Sequence, residues 1–117
     1  MPQGARADRV GEEFREILAE EIQKLKDPRV GFLTITGVRV SPDLHVAWVS
    51  YSAFGDDRAQ AASRAALKSA TPHLRRELGR QIHLKVTPEL RFERDDTIAS
   101  GERVDRIIGS LQDDADA

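Results

Sequence analysis

DRAQAASRAALKSATPHLRRELG, residues 57–79, is the segment from which the architecture of this chain follows. Ala59, Ala62, Ala66 and Ala70 recur at helical spacing, and Leu67, Leu74 and Leu78 add bulk to the same side. A helix with so small a face can pack closely on a neighbour. Asp57 is placed to cap its start, with Gln60 at the reach-back position. Pro72 interrupts the pattern. It lacks an N–H and disfavours helical geometry at Thr71, so the spacing predicts a helix that breaks and restarts there. Pro72 would then stand near the first position of a second helix, and Gly79 near that helix's end.

Working outward, Val10, Phe14, Ile17, Leu18, Ile22 and Leu25 predict a helix over residues 6–26. Asp8 is its expected N-cap, Glu12, Glu13, Glu16, Glu20 and Glu21 its solvated outer face, and Asp27-Pro28 its stop. Residues 32–40 read as a strand with a change of phase. Leu33 and Ile35 share one parity and Val38 and Val40 the other, which predicts a β-bulge at Thr36-Gly37. Ser41-Pro42-Asp43 turns the chain into a second strand over 45–53, with Ala47, Val49 and Tyr51 on one face and Val46, Trp48 and Ser50 on the other. Two strands this close pair as an antiparallel hairpin. Leu84, Val86, Pro88, Leu90 and Phe92 alternate as a third strand, where Pro88 requires an edge or an interruption. A last helix is expected over 98–111. The order α-β-β-α-kink-α-β-α gives an α+β fold, a small three-stranded sheet covered on one face by helices. A single domain over 1–112 and an acidic, frayed tail over 113–117 complete the expectation.

The 117 residues carry 18 basic and 20 acidic side chains, a formal charge of -2, but the charge is unevenly placed. From Arg58 to Lys85 the basic residues are Arg58, Arg64, Lys68, Arg75, Arg76, Arg80 and Lys85, against the single acid Glu77. Acids outnumber bases elsewhere. This concentrated basic segment is expected to face a polyanion. Cysteine is absent, which excludes disulfides and thiol chemistry and suits a reducing compartment. No apolar run reaches the roughly 20 residues of a membrane helix. His45, His73 and His83 lack metal-ligand spacing, Asp95-Asp96 reads as a turn or as a cap of the next helix, and the glycines form neither a P-loop nor a dinucleotide fingerprint. No catalytic residue, metal or cofactor is expected.

The junction at Ala70-Thr71-Pro72 is the candidate site. A KH domain places a GXXG loop at such a junction to clamp a nucleic-acid backbone, and this chain has no GXXG. It has Lys68 before the junction and His73, Arg75 and Arg76 after it, beside an expected helix N-terminus whose N–H groups favour anions. Arg6, Arg9 and Trp48 are secondary candidates, Trp48 as a base-stacking residue on an open sheet face. The alternative is a protein-interaction module using that open face.

The whole pattern resembles the ribosome-binding factor A family over nearly the full chain. The resemblance is carried, in order, by Arg6-x-x-Arg9-Val10, Asp27-Pro28-Arg29, Leu33-Thr34-Ile35-Thr36-Gly37-Val38, Val40-Ser41-Pro42-Asp43-Leu44, Ala47-x-Val49, Leu74-Arg75-x-x-Leu78-Gly79 and Pro88-Glu89-Leu90-x-Phe92. It implies a type II KH-like fold and a non-catalytic, cytoplasmic, bacterial RNA-binding protein. Such a protein acts in late 30S assembly and 16S rRNA end maturation, and is linked to growth in the cold. It implies binding to free 30S subunits and 16S rRNA, not to translating 70S ribosomes, membranes or DNA, by a monomer. The resemblance further implies an Ala-x-Gly kink in place of GXXG. Ala70 and Thr71 match that motif, while Pro72 stands where Gly is usual, removing an N–H donor but not the expected break.

Overall fold

The computed structural model describes residues 2–95, in the order α1 (Pro2–Gln23), β1 (Leu33–Val40), β2 (Val46–Ala53), α2 (Asp57–Gln81) and β3 (Glu89–Arg94). The expected helix over 98–111 and the tail lie outside the described residues.

Apolar periodicity makes α1 amphipathic: Val10, Phe14, Leu18 and Ile22 are all buried. Each fully buried side chain of this size contributes roughly 1.5–3 kcal/mol. The helix starts earlier than expected, so Asp8 lies within it and not at its cap. Proline at the first turn is compatible with that start, because the N–H it lacks has no partner there. Gly11 lets the helix approach the sheet, since a Cβ there would meet the Val38 carbonyl oxygen at 2.9 Å. Glu12, Glu13, Glu16 and Glu20 face solvent, but Glu21 does not. It is buried against α2, accepting from Gln81 Nε2 at 3.3 Å, with Lys24 Nζ and His73 Nε2 each 3.6 Å away. After the helix, Asp27 accepts from the Arg29 guanidinium and, at 2.9 Å, from its backbone N–H. Those bonds, the guanidinium's first, hold the Asp27 carboxyl at about 2.

β1 and β2 form the expected antiparallel hairpin. Register shifts between Ile35 and Gly37, leaving Thr36 as the bulged residue. The turn is built by Ser41, whose Oγ accepts from the backbone N–H groups of His45 and Val46, and by Leu44, which takes φ 64°. Ala47, Val49 and Tyr51 are buried beneath the helices, while Val46, Trp48 and Ser50 alternate onto the opposite face.

The third strand differs from expectation. It covers Glu89–Arg94 alone and pairs in parallel with β2, giving a mixed sheet in the order β1-β2-β3. Residues 82–88 form a connector, so Pro88 sits just ahead of the ladder and removes no strand hydrogen bond. Parallel pairing requires a crossover, and α2 supplies it.

The larger correction concerns α2. It runs unbroken from Asp57 to Gln81 with Pro72 inside it, so the expected break and second helix do not occur. Asp56, not Asp57, is the cap: its side chain accepts from Ala59 N–H at 2.9 Å. Gln60 does not reach back to the cap; its Nε2 donates to the carbonyls of Ala53 and Gly55. The helix stays whole because Ala66 and Leu67 before the proline, and Leu74 and Leu78 after it, reach one core only if the helical phase continues. Pro72 is exposed, so the Lys68 carbonyl, deprived of its N–H partner, can be hydrated. Thr71 Oγ1 donates back to the Leu67 carbonyl at 2.8 Å, an arrangement associated with bent helices. A proline in a helix interior costs about 3 kcal/mol. Pro72→Ala should therefore raise stability by roughly 1–3 kcal/mol and Pro72→Gly by less. Urea unfolding checks the order. Loss of stability in the alanine variant would mean that the break at 72 is real.

Candidate nucleic-acid interface

At 3.6 residues per turn, Arg58, Arg64, Lys68, Arg75, Arg76 and Arg80 fall within an arc of α2 about 160° wide. That arc lies opposite the buried stripe of Gln60, Ser63, Leu67, Leu74 and Leu78. The only acid of the segment, Glu77, is turned aside. It accepts from Arg80 Nη2 at 2.6 Å and from Gln81 Nε2 at 3.2 Å, which hold its carboxyl below the usual range. Arg58, Arg64, Lys68 and Arg76 are exposed and make no hydrogen bond or ion pair among the described residues. With about 1.5 Å of rise per residue, the row from Arg58 to Arg80 is roughly 33 Å long. Along that row the protein presents unpaired cations on a rigid support.

The other candidates are differently placed. Arg75 faces the connector, donating through Nε to the Pro88 carbonyl at 3.0 Å and through Nη2 to the Thr87 carbonyl at 2.8 Å. Its planar fork ties α2 to the start of β3. Arg75→Ala should leave both carbonyls short of a donor and lower stability by about 1–3 kcal/mol. Arg75→Lys should recover only part, since an ammonium cannot reproduce the fork. Equal urea midpoints for all three proteins would show that the connector is held otherwise. His73 turns toward α1 and Glu21, Ala70 is half-buried, and Thr71 is engaged by its own helix, so this trio is not gathered around an exposed loop. Because α2 is continuous, no helix N-terminus lies at the junction to attract an anion.

Lys85 belongs to a second place. With Arg6 and His45 it lines a cavity of about 250 Å³ that also includes Asp43. Asp43 accepts from Ser41 Oγ and the His45 N–H, which hold its carboxyl below its ordinary range. Arg9 is exposed on α1. Trp48 lies half-buried on the sheet face that neither described helix covers, and the Arg39 guanidinium sits 4.3 Å from its ring centroid. Arg39 is absent from the expected site. Counting the hairpin register from Val40↔Ala47 would have placed it beside Trp48. No group of three or more metal-ligating side chains occurs among the described residues, and no described helix is long and apolar enough to cross a membrane.

Comparison with known proteins bears on this geometry. The family model for ribosome-binding factor A matches residues 6–108. The ribosome-binding factor A of Geobacter sulfurreducens is 43% identical over 108 residues, covering 92% of each chain. The crystal structure of ribosome-binding factor A from Thermus thermophilus superposes with a TM-score of 0.67 at 35% identity, over 75% of this chain and 94% of that one. A homology model of the Thermus thermophilus factor, fitted into the cryo-EM map of its complex with the 30S subunit, matches with a TM-score of 0.64 at 32% identity, over 76% of this chain and 94% of that one. The family model spans most of α1, the bulged hairpin, α2 and the third strand, and the Geobacter relative is 43% identical over 92% of the chain: the chain belongs to the ribosome-binding factor A family.

Proposed function

We propose that this chain is a ribosome-assembly factor that docks on the free or immature 30S subunit and assists late maturation of its 16S rRNA. One observation carries the docking surface: the unpaired cations Arg58, Arg64, Lys68 and Arg76 on the outer arc of α2. The family is non-catalytic, and its Thermus member has been placed in a 30S complex. Both support action by binding alone. Phosphate contacts along the arc position the protein with little sequence preference. Specificity comes from the shape of a partly folded rRNA junction. Tighter binding to one rRNA conformer than to its competitors shifts the folding equilibrium toward that conformer.

Co-sedimentation with 30S subunits and 70S ribosomes across a salt series tests this reading. Binding to 30S should weaken by ~0.7–0.9 log units per tenfold rise in salt for each phosphate neutralised, with no binding to 70S. Affinity that ignores salt would sink the electrostatic docking and favour an apolar protein interface.

A further inference from the structure

The sheet face turned away from both helices carries one cross-strand row that the α2 surface does not use. Arg39 of β1 lies opposite Trp48 of β2, and Trp48 lies opposite Arg91 of β3. The Arg39 guanidinium, 4.3 Å from the indole centroid, is exposed and makes no hydrogen bond or ion pair among the described residues. Its closest aromatic contact is the face of that ring, whose quadrupole attracts the cation. Arg91 is otherwise engaged, donating to the Glu89 carboxylate at 3.0 and 3.4 Å. Glu93 pairs with Ser50 in the neighbouring row and is exposed.

These charges decide what the face can bind. Two arginines and two glutamates share it, so it offers no cationic field for a chain of phosphates. A neutral aromatic plane meets no such opposition. A guanidinium beside an indole is a ready platform, since nucleobases stack on arginine planes as they do on aromatic rings. Ser50, on the same face, supplies a hydroxyl that can donate to or accept from a base edge.

We propose that the Arg39–Trp48 stack is a site for an unpaired nucleobase of single-stranded RNA, separate from the phosphate-binding arc of α2. The proposal rests on the RNA-binding reading above and adds a contact of different chemistry. A base would lie against both the Arg39 guanidinium and the neighbouring Trp48 indole. The protein would then hold a phosphate backbone by α2 and a splayed base by the sheet.

Trp48 is the chain's one tryptophan, so its emission reports occupancy directly. The full chain would be titrated with ten-nucleotide oligoadenylate, oligouridylate and, as a protein-like anion, polyglutamate. Anisotropy of labelled oligonucleotide would measure affinity in parallel. Oligoadenylate should quench Trp48 saturably, and more than oligouridylate does. Trp48→Ala should lose about ten-fold in affinity for it, within the roughly 5- to 150-fold expected for one lost stack. Its slope of log affinity against log salt should stay unchanged, because stacking neutralises no phosphate. Trp48→Phe should restore most of the loss, which separates stacking from damage to the sheet. Oligonucleotide binding with Trp48 emission and Trp48→Ala affinity both unaltered would overturn the base site and leave the RNA reading intact. Quenching by polyglutamate alone would make the face a protein-binding surface and overturn the proposal. Failure to bind either oligonucleotides or 30S subunits would remove the RNA reading itself, and the base site with it.

Discussion

Replacing Arg64, Lys68 and Arg76 together by glutamate should lower 30S affinity by at least 100-fold while leaving the protein folded. The three side chains are exposed, carry no hydrogen bond or ion pair among the described residues and share the outer arc of α2. If each neutralises one phosphate, the three together account for about 2–2.7 log units of affinity at 0.1 M salt. Reversing the charge adds repulsion to that loss. The salt slope should fall by a similar 2–2.7. Stability should move little, since surface changes away from specific contacts stay within about 0.5 kcal/mol. Arg75 is left out by design. Its guanidinium holds the Thr87 and Pro88 carbonyls, so its reversal would confuse a binding defect with a displaced β3. Sedimentation with 30S subunits, beside a thermal melt, separates the two effects. Undiminished binding by a folded triple variant would move the interface elsewhere, first to the cavity shared by Arg6, His45 and Lys85.

Phe14→Ala should cost about 3–5 kcal/mol, the largest stability loss expected from a single side chain here. Phe14 is fully buried on the face of α1 that lies against the sheet, between Val10 and Leu18. Its removal opens a cavity that the surroundings cannot close, because Gly11 already sets α1 almost in contact with the Val38 carbonyl. Whole-domain stabilities run from about 5 to 15 kcal/mol, so the variant should retain only a part of the native margin. The melting temperature should drop by on the order of 20 °C, at roughly 4–8 °C per kcal/mol for a domain of this size. Phe14→Leu should recover more than half. A drop of only a few degrees in the alanine variant would show that the seam between α1 and the sheet repacks freely.

Local pattern was most legible where one rule acted alone. The change of phase between Ile35 and Val38 announced the bulge, because strand parity admits only that correction. The α1 stripe and the inward parity of Ala47, Val49 and Tyr51 were equally direct. Reading failed where two rules competed. At Pro72 the local rule for proline favoured a break, while packing on both sides required one helical phase, and packing prevailed. At residues 84–92 apolar alternation suggested one strand, but only Glu89–Arg94 lies beside β2 once α2 has set the crossover. Glu21 sits among exposed glutamates in sequence, yet α2 covers it.

The candidate site divides in the same way. Charge asymmetry is a property of composition, so the basic segment from Arg58 to Lys85 could be read without coordinates. Its sorting required the fold. Helical phase sends Arg64, Lys68 and Arg76 outward and His73 toward Glu21. Arg75, on the same arc as Arg64 and Lys68, is instead drawn to two carbonyls of the connector, and the connector itself carries Lys85 to another cavity. Hairpin register alone sets Arg39 on Trp48. By itself the sequence determined family, the first helix, the bulged hairpin and the location of net charge, because these follow from periodicity and composition along the chain. Tertiary structure decided the unbroken α2, the parallel β3 and which cations remain free, because each depends on what a residue meets from a distant part of the chain.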